Sequence, residues 1–198
     1  MRTATLRSML ALVMVLALAS TGFAGASKTI EVSAHVPTIG GGFNVNVTRI
    51  NASTDEWGVP NPNQPIDFQT LVYDAVNGVF GANYYYAVDI GVLDNSGAPW
   101  MITHARNSVA LDAFNNLDNN INVSFTKESQ TAPAINLQKV SYANSQNISF
   151  MKSQLTGGWL RVYYGIATGL NDAPGALPID ATKPTGIYQG SVTITLAP

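Results

Sequence analysis

Cysteine is absent from the 198 residues. Disulfide scaffolds, thiol catalysis, iron–sulfur clusters and cysteine–zinc sites are thereby excluded. Charge is scarce too: Asp, Glu, Lys and Arg make up 11% of the chain, against roughly 25% in an ordinary globular protein. Asn, Thr, Ser and Gln take their place, which suits a solvated β surface better than a helix bundle. Histidine occurs only at His35 and His104, far apart and without acidic neighbours, so no metal site and no cofactor are expected. One apolar run, 9–19, is conspicuous, but it is short of the roughly 20 residues a bilayer span needs. No membrane span is expected. With ten basic residues against twelve acidic ones, nothing favours nucleic acid or anionic lipid as a partner.

What the chain does have begins with an export leader. Arg2 and Arg7 precede the apolar run, and Ala24-Gly25-Ala26 supplies small residues before a cut at Ser27. Residues 1–26 therefore read as a signal peptide, and the protein is expected to be secreted through the general export pathway. Both leader arginines leave with it, giving the mature chain a net charge of about −4. Residues 27–198 form one domain by length, large enough to bury a core without staples.

Period-two alternation dominates that domain. In 28–36, Ile30, Val32, Ala34 and Val36 face one way and Thr29, Glu31, Ser33 and His35 the other, until Pro37 ends the run. Gly40-Gly41-Gly42 follows; it lacks the Lys-Ser/Thr of a phosphate loop, so it reads as a hinge. Further strands are expected over 43–48, 66–73, 84–93, 100–104, 121–125, 135–142, 148–151, 159–166 and 187–196. The turn at 94–97 suggests that 84–93 and 100–104 pair as a hairpin. Residues 51–65, with three prolines, read as a long surface loop. Residues 108–117 are a candidate short helix, with Val109, Leu111 and Phe114 loosely spaced. Many short strands with polar turns describe a single all-β, antiparallel β-sandwich.

Candidate chemistry is sparse. The Asp- and Asn-rich stretch from Asp112 to Asn122 invites calcium, but Leu117 and Val123 stand where an EF-hand loop needs Gly and Glu. An irregular calcium loop and a plain turn are both open. No nucleophile elbow surrounds any serine. The carboxylates Asp67, Asp74, Asp89 and Asp94 are spread along the chain, so no catalytic residue is assigned and no enzyme is expected. Trp57, Tyr85, Trp159, Tyr163 and Tyr164 would bind sugar rings if they shared an exposed face. The pleat sets Tyr85 against Tyr84 and Tyr86, so those three form no platform.

The most specific feature is the pair of terminal strands. The first has the form of a donor strand, an extended peptide whose main chain completes another sheet while alternate side chains fill pockets. The other reading is an ordinary first strand packed in its own sandwich. The run from Ser27 to Pro37, together with Gly186-Ile187-Tyr188-Gln189-Gly190 and the alternating strand after it, resembles the two ends of the cysteine-free pilins of the alternate (class 5, colonisation-factor type) chaperone–usher fimbriae. The closing Thr195-Leu196-Ala197-Pro198 is also similar to surface-associated sandwiches of the spore-coat-like and WxL kinds, although the Trp-x-Leu position reads Ile194-Thr195-Leu196 here. The pilin resemblance implies an incomplete immunoglobulin-like sandwich, 43–198, preceded by a donor strand and glycine hinge, 27–42. It implies a periplasmic chaperone and an outer-membrane usher as partners, and head-to-tail polymerisation with identical or related subunits. In that reading Ile30, Val32, Ala34 and Val36 are the donors. Val192, Ile194 and Leu196 wall the acceptor groove, and Gly40, Gly41 and Gly42 are the hinge. The expected function is thus a structural subunit of an extracellular fimbria, with a host or surface glycan as receptor. The alternative is a monomeric secreted carbohydrate-binding module, whose first strand stays in its own domain.

Overall fold

The computed structural model describes residues 27–31, 42–93, 98–127 and 137–197, the first stretch by its backbone alone. Alternating apolar residues produce strands nearly everywhere in these stretches. The long ones are β1 (Ser27–Glu31), β2 (Phe43–Asn51), β5 (Tyr84–Val92), β6 (Met101–Arg106), β7 (Ile121–Thr126), β10 (Trp159–Ile166) and β12 (Ser191–Ala197). Shorter ones are β3 (Val72–Asp74), β4 (Val79–Gly81), β8 (Gln138–Ser141), β9 (Ile148–Met151) and β11 (Ile179–Asp180). The helical content described is three single 3-10 turns.

All pairings are antiparallel. One sheet runs β2-β5-β10-β7-β8, a second β1-β12-β6-β9, and a small third β11-β4-β3. The two large sheets share one core. Val45, Val88, Ile90 and Val162 come from the first, and Ile102, Phe150, Val192, Ile194 and Leu196 from the second. Rings from both sheets meet there: Phe125 lies 5.2 Å from Phe150 and 5.3 Å from His104. The protein is an all-β antiparallel sandwich.

Strand order carries more information than strand content. Apart from β1 and the short strands, the neighbours are β2-β5-β10-β7 in one sheet and β12-β6 in the other. Lettered in chain order, these are the A-B-E-D and F-C neighbours of the seven-strand immunoglobulin arrangement. The seventh place, beside the last strand of that series, is held by β1.

Several expectations need correcting. Residues 84–93 and 100–104 do not form a hairpin. Both edges of β5 are taken, by β2 and β10, so β6 crosses to the other sheet and pairs with β12 and β9. The turn at 94–97 lies outside the described residues. Residues 108–117 are not helical: Ala110 bridges both Asn116 and Gln189. The Asp112 carboxylate accepts the N–H groups of Phe114 and Asn115, a local bond that competes with helix formation. Of 66–73 only Val72 and Tyr73 are strand, because the Asp67 carboxylate accepts the Gln69 N–H and Gln69 sits at φ +58°, which breaks the extended run. Residues 51–65 are more than a loop. Gly58 N–H donates to Arg49 O at 2.9 Å, and Val47 and Asn61 exchange bonds of 3.1 and 2.9 Å. This segment covers the edge of β2, which would otherwise present unpaired backbone.

Candidate functional site

The terminal strands meet. β1 lies antiparallel on β12, with Ile30 opposite Val192, Lys28 opposite Ile194 and Ser27 opposite Thr195. Strand β12 is therefore held on both sides, by β6 and by β1. Val192, Ile194 and Leu196 point into the core and are essentially inaccessible, while Ser191, Thr193, Thr195 and Ala197 are only partly covered. The three acceptor candidates thus line the interior directly beside the place β1 occupies. Of the donor candidates, Ile30 is described by its backbone register. Val32, Ala34 and Val36 lie outside the described residues, as do Gly40, Gly41 and the 1–26 leader. Gly42 is anchored: its carbonyl accepts Leu93 N–H at 2.8 Å. Its φ is +77°, and a Cβ there would stand 2.5 Å from the Leu93 carbonyl oxygen, so only glycine fits the turn into β2.

Just before β12 the chain borders a cavity of about 580 Å³. Ile66, Phe68, Leu71, Val109, Ile179 and Tyr188 contribute to its lining. Tyr188 O–H donates to Pro184 O at 2.7 Å, and the Ala110–Gln189 bridge holds the other side. The cavity is apolar, sits at one end of the sandwich, and adjoins the segment that leads into the strand beside β1.

No protein-family model, curated protein or solved structure matches this chain. Its chemistry is what the side chains themselves supply. Asp67 and Asp74 cap turns and Asp89 is paired with Arg161, so the structure does not bring these three carboxylates together; Asp94 is outside the described residues. In the Asp112–Asn122 stretch, Asp112 is bound by Asn115 Nδ2 and Asp118 by Arg106 at 2.7 Å. Hydrogen bonds from Asn115 and from backbone N–H groups hold the Asp112 carboxyl below its ordinary pKa. Among the described residues, no group of three or more His, Asp or Glu side chains is placed to hold a metal.

His104 is buried in the core. Ser145 O can only accept, so His104 Nδ1 donates to it at 2.8 Å and Nε2 accepts from Tyr164 O–H, also at 2.8 Å. Burial pushes its pKa down to about 4, leaving a neutral ring that ties the two sheets together.

The five candidate aromatics separate. Tyr164 faces the core, whereas Trp57, Tyr85, Trp159 and Tyr163 gather on the outer face of the five-stranded sheet, around Arg161. Arg161 was not singled out from the sequence. Its signal was there, since Trp159, Arg161 and Tyr163 share one side of an alternating strand opposite Leu160 and Val162.

Proposed function

We propose that this protein is a structural, non-enzymic subunit of an extracellular filament, joined to its neighbours by exchange of the strand at 27–36. The observation that supports the reading is the place of β1, which fills the seventh position of an immunoglobulin-type strand order by lying on β12 of its own chain; the self-packed strand is the closed form, and exchange puts a neighbour's copy in the same place. A strand from outside the six-strand body can be replaced by the same strand of a neighbour at no cost in ladder bonds. Laid on β12 in the β1 register, a neighbour's 27–36 continues past Ser191 beside Tyr188 and Gly186, which line the apolar cavity. Its Ile30, Val32, Ala34 and Val36 then share the core side, each large one worth about 1.5–3 kcal/mol when buried. Such a contact is heterologous and does not close, so it builds fibres rather than rings. The pilin resemblance adds a periplasmic chaperone that holds this edge before assembly and an outer-membrane usher that receives it.

The test is electron microscopy of the mature protein with and without residues 27–37. Filaments are expected from the full mature chain and none from the shortened one. Undiminished polymer after the deletion overturns the proposal. Grafting 27–37 after Pro198 through a flexible linker should yield a soluble monomer with a raised Tm.

A further inference from the structure

The outer face of an antiparallel sheet ordinarily faces water with polar side chains. Here it carries three touching rings. The Tyr163 ring lies 6.4 Å from Trp57 at 81° and 6.4 Å from Tyr85 at 46°. Beneath them Arg161 is gripped by Asp89, with Nε–Oδ1 at 2.6 Å and Nη2–Oδ2 at 3.0 Å. The guanidinium lies 4.6 Å from the Trp57 ring centre and 5.8 Å from that of Tyr163. Tyr85 O–H donates to Asp55 Oδ1 at 3.0 Å, and the Trp57 backbone is fixed by its bridge to Ile50 while its ring rests on Arg161 and Tyr163. The rings are therefore held in place before anything binds, which lowers the entropy cost of binding. Yet Trp57 remains 45% exposed.

Beside the rings a groove of about 810 Å³ crosses the sheet between the loop at 55–57 and the loop at 168–172. Gly165 forms part of its floor. A Cβ at Gly165 would meet only Tyr85 Cβ, at an ordinary 3.6 Å, and its backbone angle is not one reserved for glycine. Neither strain nor crowding calls for glycine there, and a strand interior disfavours it. What the missing side chain does is leave the floor open.

We propose that this groove binds a neutral oligosaccharide, stacked on Trp57, Tyr163 and Tyr85 above Gly165. Aromatic rings offer apolar area to the C–H face of a sugar, and a few placed polar groups orient it. Asp55 and Ser124 line the groove and accept or share hydroxyl protons. The charges argue against an anionic ligand. Arg161 is neutralised by Asp89, Lys139 Nζ donates to Asn171 O, and Asp55 and Asp172 leave the lining acidic. The volume lies within the range of small-molecule sites and toward its upper end, which suits a short chain of sugars. The site stands whether or not the protein polymerises.

The test uses the mature protein, titrated with chitotetraose, cellotetraose, maltotetraose and lacto-N-tetraose, and with a heparin tetrasaccharide as the anionic comparison. Saturable binding of at least one neutral sugar is expected by tryptophan fluorescence and saturation-transfer NMR. Trp57→Ala and Tyr163→Ala should each weaken it about tenfold or more. Gly165→Thr fills the floor with a residue that strands favour, so it should abolish binding while the Tm holds or rises. Failure of all four neutral sugars to bind overturns the proposal. So does preference for the heparin fragment, or binding that Gly165→Thr leaves untouched.

Discussion

At the residue scale, the few charges have defined structural places. Asp67, Asp74, Asp112, Asp172 and Asp180 each accept backbone N–H groups within their own turns. Asp89 and Asp118 pair with Arg161 and Arg106. The turn carboxylates serve as caps, and the two paired ones as anchors. One titratable residue that ties stability to pH is His104. The unfolded chain takes up a proton there near the ordinary value of 6.5, whereas the folded core refuses it until about pH 4. The unfolded state thus binds more protons throughout this window, and stability is whole above 6.5 and drains as pH falls toward 4. Between pH 7 and pH 5 the loss at this one residue is about 2 kcal/mol. Urea denaturation at the two pH values measures it. His104→Gln, which keeps an amide for Ser145 O and Tyr164 O–H, should remove most of the difference.

At the element scale, the weight falls on β12. It is the only strand described that connects the chain's beginning to the central core, because its core face is fully buried while β1 covers its outer edge. Removing 27–37 leaves that core in place but turns β12 into an edge strand with unpaired backbone. Hydrogen exchange is expected to read this directly. Amides of Ser191–Ala197 that face β1 should exchange at least about tenfold faster in the shortened protein, and those of β5, flanked by β2 and β10, should not change. Equal protection of β12 in both forms would mean that β1 contributes no stable pairing. The segment at 51–65 shows how an edge is otherwise managed. It lies back along β2, and the bridge at Trp57 fixes one wall of the sugar groove in the same act.

At the scale of the whole molecule, the sandwich is a six-strand body whose seventh position is filled by the chain's own first strand. A strand that pairs with β12 alone among the described strands is open to competition from an identical strand in trans. A synthetic 27–37 peptide added to the shortened protein should raise its Tm in proportion to the logarithm of peptide concentration, as any ligand of the native state does. A peptide with Ile30→Asn and Val32→Asn should do so much less. No response to either peptide would show that the edge is closed to outside strands. The aromatic face lies on the opposite sheet from β1, so the proposed joining of subunits through β12 would leave it available to solvent and ligand.

The strands, their core faces and the all-β class were legible in the amino-acid order, because a pleated chain alternates its sides and burial selects apolar residues at every second position. The runs at 84–92, 159–166 and 191–197 show it plainly. The same order named four of the aromatics that meet on the outer face, without the means to bring them together. Partnership was what only the tertiary structure decided. Period two says which face of a strand is apolar and nothing about which strand lies beside it. So the crossing of β6 to the second sheet, the Asp89–Arg161 grip beneath the rings and the docking of β1 on β12 depended on non-local packing, where each edge accepts one neighbour and excludes the rest.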